Sequence, residues 1–243
     1  MAAIRPNNSG SGNSSSNTNN GRFTATNVSL KSLIQFDAYG IPSPRILGGP
    51  KWLDSARFDV EAKMDDSVTE HLHSLDNGQR RIQTQAMFQQ LLAGRFKLAV
   101  HWETRELPVY ALVVAKKGPK LQPTQEKNGG SGTSSNSNGT SAQFTATGIT
   151  LPELAKAFTQ EMSGELGRVI IDKTGIGGKY DLKLKWAPEN GNAATGDASN
   201  AAQPDSGPSL FTAIQEQLGL RLEPAKGSVD VLVIDHAEMP SEN

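Results

Sequence analysis

The sequence predicts an α+β fold built from two tandem β-α-β-α-β-β units, with helices packed on mixed, largely antiparallel sheets. The first observation is a repeat, because FTATNVSL beginning at Phe23 returns as FTATGITL beginning at Phe144. The second is that later segments recur in the same order: RFDVEAK as KYDLKLK, FQQLLAGRFKL as FTAIQEQLGLRL, and VYALVV as VDVLVI. This ordered series of matches predicts an internal duplication.

The first elements of each unit follow from local patterns. FTATNV and FTATGI carry β-branched residues at alternating positions, which is typical of a strand. Ser29 and Thr150 precede apolar helical periodicity and predict helix N-caps, and Pro152 suits the first turn of the second of these helices. RFDVEAK and KYDLKLK alternate with period two and predict the next strand, and short amphipathic helices begin at Phe88 and Phe211.

The last part of each unit predicts a β-hairpin. KLAVHWE and VYALVVAK in the first unit, and LRLEPAK and VDVLVIDH in the second, are alternating segments separated by short polar stretches. Two such strands with a short polar connection are typical of an antiparallel hairpin. Strands and helices in this order place the chain in the α+β class.

Composition predicts the domain boundaries. Segments made almost entirely of Asn, Ser, Gly and other small residues cannot bury enough apolar surface to offset the entropy of ordering. The sequence therefore predicts a disordered N-terminal segment at 1–21, a first repeat unit at 22–124 and a flexible linker at 125–142. The second repeat unit is predicted at 143–241, with a disordered loop at about 188–207.

Charge and composition argue against several classes of protein. The chain has 24 basic and 25 acidic residues, so no net positive field attracts nucleic acid. It has no cysteine, which excludes disulfides, thiolate nucleophiles and cysteine-ligated zinc. No apolar run approaches the roughly 18 residues that a membrane-spanning helix needs, and the first residues, MAAIRPNNSG, do not resemble a signal peptide. We therefore expect no nucleic-acid partner and no membrane insertion by this chain.

Two motifs suggest ligand chemistry without meeting its requirements. His71 and His73 lie among acidic residues, but residues two apart do not share a helical face and no third ligand is specified, so we predict a polar surface loop and no metal. DKTGIGGKYD departs from a phosphate-binding loop at Lys173 and Tyr180, which stand where glycine and Ser/Thr are needed. A tight turn is the better interpretation, and we expect no cofactor.

The remaining candidates are acidic and aromatic. Asp59 and Asp181 recur at equivalent positions after an aromatic residue, where they would hydrogen-bond the preceding turn or act as catalytic carboxylates. Tryptophans at strand ends are either binding anchors or lids on a core. The predicted binding residues are Trp52, Trp102, Trp186, Asp59 and Asp181, and no catalytic residue is assigned.

The stretches GGPKWLDSARFDVEAK, RELPVYALVVAK, DKTGIGGKYD and VLVIDHAEMPS resemble an uncharacterised protein family of soil bacteria, particularly Acidobacteria. Some members of that family are fused to BlaR-like antirepressor metallopeptidases, and members usually carry an export signal. The resemblance implies an extracytoplasmic location, periplasmic or secreted, and implies no catalytic residue. Relative to the family pattern, Asp37 is an additional residue that changes the phase of the first helix, and the chain begins at MAAIRPN without a leader.

Two functions agree with these observations. The first is a non-enzymatic extracytoplasmic binding or protein-interaction module, sensor-like or envelope-associated, whose partner is an unknown protein or a polymeric or small ligand. The alternative is a secreted hydrolase that uses carboxylates such as Asp59, Asp181 or Asp235. The two differ in whether Asp59 and Asp181 converge on one cleft or lie at equivalent turns.

Overall fold

The computed structural model describes residues 2–125, 131–188 and 207–240. It is a mixed α+β structure with three mostly antiparallel sheets, which confirms the predicted α+β class. No helix in these ranges is long and apolar enough to cross a membrane. The chain divides into two compact units, and the predicted loop at about 188–207 lies almost entirely outside the described residues.

Unit 1 comprises Met1–Arg105 and Asp230–Asn243. Its strands are β1 (Ala2–Pro6), β2 (Ser15–Asn19), β3 (Arg22–Val28), β4 (Ile46–Gly48) and β5 (Phe58–Lys63). Its helices are α1 (Leu30–Ser32), continued by a π-helix at Leu33–Ala38, α2 (Asp66–Ser74) and α3 (Asn77–Phe96), with short 3-10 turns at Ser43–Arg45 and Lys51–Leu53. The first sheet has the order β1-β5-β3-β2, with antiparallel pairs throughout.

The N-terminal segment differs from the sequence prediction. Strands β1 and β2 lie within residues 1–21, where composition predicts disorder. The β1 strand pairs with β5 along its length and buries Ile4, and β2 pairs with β3. The Asn27 side chain donates to the carbonyls of Ser11 (2.6 Å) and Asn13 (2.8 Å), which holds the intervening turn. Backbone pairing, together with the burial of Ile4, therefore orders a segment whose composition is mostly polar.

The first helix contains an irregularity near the predicted additional residue, Asp37. Ser29 and Ser32 form a reciprocal capping box at its start, as the N-cap prediction requires. The helix then widens into a π-helix, in which the Tyr39 N–H donates to the Ile34 carbonyl at 3.0 Å. A π-helix contains an extra residue within a turn, and this accounts for the change in helical phase predicted at Asp37.

The region around His71 is helical, so the predicted polar loop is wrong. His71 and His73 lie on α2, and Asp76 caps the following helix by accepting from the backbone N–H groups of Gly78 and Gln79. The resulting α3 is much longer than the short helix predicted from Phe88. Its first turns are polar and exposed, so they show little of the apolar periodicity on which the prediction depended.

Aromatic residues fill the core of unit 1. Phe58 and Phe96 meet edge to face at 5.2 Å between ring centroids, and Trp52 stacks on Phe96 at 6.4 Å. Phe23 contacts Phe88 at 4.7 Å. These contacts join α3 to the first sheet, because Phe88 and Phe96 come from the helix and Phe23 and Phe58 from the strands.

Unit 2 comprises Glu106–Val229. Its strands are β7 (Gln122–Pro123), β8 (Gly132–Ser137), β9 (Ala142–Ile149), β10 (Ile170–Asp172) and β11 (Tyr180–Trp186). Its helices are α4 (Leu151–Glu161), α5 (Ser163–Leu166) and α6 (Leu210–Leu218). The order of its antiparallel sheet, β7-β11-β9-β8, matches that of the first sheet of unit 1, strand for strand.

Local signals in unit 2 are largely confirmed. Thr150 caps α4 in a capping box with Glu153, and Pro152 lies in the first turn. Phe144 on β9 and Phe158 on α4 meet at 5.2 Å in the core, so the helix packs on the sheet. The predicted linker at 125–142 contains strand β8, and its residues 126–130 lie outside the described ranges.

Two long strands replace the two predicted hairpins. The third sheet has the order β10-β6-β12-β4, in which β6 (Ala99–Val114) and β12 (Leu220–His236) are each continuous. The predicted turn in β6, TRELP, offers no Gly or Asn for a tight hairpin, and the chain stays extended through it. The unit boundaries fall within these strands, after Arg105 in β6 and after Val229 in β12. The second half of β6 therefore lies in unit 2, and the second half of β12 lies in unit 1, whereas the repeat predicts the reverse.

Candidate functional site

Asp59 holds an irregularity in β3. The pairing of β3 with β5 shifts register between Ala25 and Val28, and Asn27 there has a φ of 58°. Asp59 Oδ1 accepts from the Asn27 backbone N–H at 2.9 Å and from Asn7 Nδ2 at 2.7 Å. The carboxylate thus fastens a β-bulge in the first strand of the sequence repeat.

Asp181 occupies the same position in unit 2. Its Oδ1 accepts from Thr124 Oγ1 at 2.7 Å and from the backbone N–H of Gly148 at 2.8 Å. Gly148 has a φ of 63° and lies where β9 shifts register against β11. The Thr124 hydrogen bond, followed by that from Gly148, lowers the pKa of Asp181. Each aspartate is therefore engaged within its own unit, at a bulge in the neighbouring strand.

Substitution of Asp181 tests this fastening role. We expect Asp181→Ala to lower the melting temperature at neutral pH more than Asp181→Asn does, because the amide oxygen can still accept from Gly148. Since the folded pKa is lowered, the stabilisation is present above the unfolded pKa and is lost as pH falls through the folded pKa. Thermal unfolding of both variants at neutral and acidic pH measures the effect.

The control for Asp181 is Glu106→Ala in the same unit, which removes only an exposed pair with Lys226 at 3.9 Å. We expect it to leave the melting temperature almost unchanged. A deficit of Asp181→Ala that stays the same at acidic pH would show that the ionised carboxylate does not hold the bulge.

The three tryptophans occupy different environments. Trp186 is buried, and its Nε1 donates to the Glu165 carboxylate at 3.0 and 3.1 Å. Trp52 is partly buried against the unit 1 core, stacked on Phe96. Trp102 is 52% exposed. The structure thus makes Trp52 and Trp186 parts of cores and leaves Trp102 available for recognition.

Trp102 lies in a surface that we call the Trp102 surface: Tyr39, Arg45, Trp102, Thr104 and Asp230, all in unit 1. The Arg45 guanidinium lies over the Trp102 ring, 5.7 Å from its centroid, and the Tyr39 ring meets Trp102 edge-on at 6.5 Å. Arg45 Nε donates to the Asp230 carbonyl at 2.7 Å, and Thr104 Oγ1 donates to Asp230 Oδ1 at 2.7 Å. The exposed ring is thus surrounded by groups whose positions are fixed.

The electrostatics of this surface differ from those of an ordinary exposed face. Burial raises the pKa of the Tyr39 hydroxyl. Burial also lowers the pKa of Arg45, and the charge of Asp230 partly opposes that shift. Both groups are therefore partly removed from water before any partner arrives. A cation–π contact and a hydrogen bond are stronger in such surroundings than at a fully solvated surface.

The opposite face of β6 carries a charged row. His101 Nδ1 lies 2.9 Å from Asp235 Oδ2, and Arg105 Nη2 donates to Glu103 Oε2 at 2.8 Å. The Asp235 hydrogen bond is the main reason that the pKa of His101 is raised. Asp235, the third carboxylate considered for catalysis, is thus an ion-pair partner. Across the described ranges, no group of three or more His, Asp or Glu side chains is arranged to hold a metal ion.

Sequence reasoning singled out Trp102 and missed Tyr39 and Arg45. One signal was available, because an arginine closely precedes the short strand in both halves, as RILG and RVIID. In unit 2 that residue, Arg168, lies 5.2 Å from the ring centroid of Tyr110. The two contacts are not equivalent, however, because the sequence repeat aligns Tyr110 with Asp230 and not with Trp102.

A family model described as "Protein of unknown function (DUF3738)" matches residues 31–237. No curated protein and no solved structure matches the chain. The matched range includes every member of the Trp102 surface and both bulge-fastening aspartates.

Proposed function

The chain belongs to the DUF3738 family, whose model covers residues 31–237, and we propose that it is a binding module that recognises its partner through the Trp102 surface. The observation that carries this proposal is an exposed tryptophan ring held between an arginine and a tyrosine. We further propose that the module is sensor-like or envelope-associated and acts outside the cytoplasm, as the resemblance of its motifs to exported proteins implies.

The residue types of this surface favour recognition. Trp, Tyr and Arg are the residues that most often dominate binding energy in protein interfaces. Arg45 is already tied to the Asp230 carbonyl and Trp102 is flanked by Tyr39, so little side-chain freedom remains to be lost on binding. The surface is consequently preorganised for a partner that covers the indole ring.

The carboxylates support binding over hydrolysis. A glycosidase-like hydrolase needs two carboxylates that flank one scissile bond. Asp59 and Asp181 instead accept hydrogen bonds at bulges in separate units. Asp235 pairs with His101 on the face of β6 opposite to Trp102. The candidate carboxylates thus have structural partners, which supports a non-enzymatic role.

We also propose that the two sequence repeats arose by duplication. Two features support this proposal: the matching strand orders β1-β5-β3-β2 and β7-β11-β9-β8, and the aspartate at the same bulge in each. A duplicated unit can retain its core while its surface diverges. Trp102 illustrates such divergence, because LRLEPAK, the segment that corresponds to KLAVHWE, contains no tryptophan.

The test compares Trp102→Ala with Phe211→Ala, which removes a 41% exposed ring in unit 2. Immobilised wild-type protein is used to retain a partner from envelope and secreted fractions, and the purified partner is then titrated against each variant. We expect Trp102→Ala to weaken the affinity by about 30-fold, or about 2 kcal/mol, the typical loss at an interface hot spot. We expect Phe211→Ala to bind like wild type.

Circular dichroism and thermal unfolding establish that both variants are folded. Equal affinity of the purified partner for Trp102→Ala and wild type would place recognition elsewhere on the chain. Consumption of a polymer by wild type and not by an Asp59→Ala, Asp181→Ala double variant that is shown by the same methods to be folded would instead establish the hydrolase.

A further inference from the structure

Unit 2 contains a cavity with a strongly basic lining. Its volume is about 450 Å³, and its charged residues are Lys116, Lys117, Lys120, Arg221 and Glu216. The chain as a whole carries a formal net charge of −1, so this concentration of positive charge is local. A cavity of this size lies within the range of small-molecule sites, about 300–1,000 Å³.

The lysines retain hydrogen-bonding capacity. No ion pair or side-chain hydrogen bond of Lys116 or Lys117 occurs within the described part of the chain, and both residues are exposed. Lys120 Nζ donates to the Glu216 carbonyl at 2.6 Å, which leaves two of its three N–H donors. Arg221 forms an ion pair with Glu223. Three ammonium groups therefore remain able to bind an anion.

The segment that carries these lysines is held in one conformation. The backbone N–H of Ala115 donates to the Gly219 carbonyl at 2.9 Å, and that of Lys120 donates to the Leu218 carbonyl at 2.8 Å. Gly219 has a φ of 65°, and a Cβ there would lie 2.2 Å from the Gly118 carbonyl oxygen. Backbone contact this close needs glycine, and it fixes the segment against the end of α6.

We propose that this cavity binds a small soluble molecule that carries a diphosphate or two adjacent phosphate groups. Lysine ammonium groups bind phosphate oxygens as point charges, without the planar geometry that a carboxylate offers to arginine. The charge of Arg221 is neutralised by Glu223, so the remaining charged groups are three lysines and Glu216. Their excess of positive charge is balanced better by a diphosphate than by a singly charged anion. The site is independent of the Trp102 surface and adds a ligand class to the proposed binding function.

Isothermal titration of the full chain with inorganic pyrophosphate tests the site. The cavity variant is Lys116→Gln, Lys117→Gln. Its matched control is Lys156→Gln, Lys185→Gln, which removes two exposed lysines of unit 2 that do not line the cavity. We expect saturable binding by wild type that weakens with added salt, a loss of at least tenfold in affinity in the cavity variant, and a change of less than twofold in the control.

Formate, a singly charged anion, provides the second arm, and we expect it to bind at least tenfold more weakly than pyrophosphate. Absence of saturable binding at low salt, equal affinities of the two double variants, or equal affinities for formate and pyrophosphate would each overturn the site. Melting temperatures show that the variants are folded. Trp102→Ala should bind pyrophosphate like wild type, so failure of this site is distinguishable from failure of the Trp102 surface.

Discussion

Replacement of Phe58 by alanine is expected to lower the free energy of unfolding by about 3–5 kcal/mol, the usual cost of removing a buried phenyl ring. Phe58 is 1% exposed, and its ring centroid lies 5.2 Å from that of Phe96 and 6.4 Å from that of Trp52. The lost side chain leaves a cavity between the first sheet and α3. The large volume and the rigid neighbours make complete collapse of that cavity unfavourable.

Urea unfolding followed by tryptophan fluorescence measures this loss, because Trp52 adjoins the cavity. The control is Phe36→Ala, which removes a ring that is 62% exposed, and we expect it to change the free energy by less than about 1 kcal/mol. A Phe58→Ala variant as stable as the Phe36→Ala control would show that this aromatic cluster does not carry the core of unit 1.

Asp37→Asn is expected to stabilise the protein at neutral pH. Burial raises the pKa of Asp37 from 3.8 to about 6, so the ionised carboxylate is unfavourable in the folded state. Between those two pKa values the folded state binds more protons than the unfolded state, and stability therefore falls as pH rises from about 4 to about 6. At full burial this shift corresponds to about 3 kcal/mol, and partial solvent exposure reduces the expected gain to about 1–2 kcal/mol.

Chemical unfolding at pH 7 and pH 4 measures the Asp37 effect. The gain should be present at pH 7 and nearly absent at pH 4, where the wild-type carboxyl is already protonated in the folded state. Asp65→Asn, at an exposed position in the same unit, is the control for removal of an acidic charge. An equal gain at both pH values would mean that the π-helix does not desolvate the Asp37 carboxylate.

Local signals predicted much of the fold. The alternation in FTATNV and FTATGI, and the caps at Ser29 and Thr150, depend on neighbours within a few residues and could be read directly. The strands at Ala2–Pro6 and Ser15–Asn19 could not, because their order comes from pairing with β5 and β3, which lie far along the chain. The amino-acid composition shows how much apolar surface a segment can bury, whereas these strands are held mainly by backbone hydrogen bonds to their neighbours.

The candidate site was only partly predictable for a similar reason. The sequence suggested Trp52, Trp102 and Trp186 equally, since it does not distinguish a tryptophan that binds a partner from one that covers a core. Which ring is buried depends on packing against Phe96 in one case and on the Glu165 carboxylate in another. The partners of Trp102 come from segments separated along the chain, so no local pattern joins them.

The two long strands have a consequence for the order in which the protein folds during its synthesis. All residues of unit 2 have been translated once Val229 has been added, whereas unit 1 still lacks the segment that begins at Asp230. That segment supplies Leu232–Ile234, the parallel neighbour of β4. On the ribosome, the unit that starts first is therefore completed after unit 2, and its core stays incomplete until Leu232–Ile234 have been added.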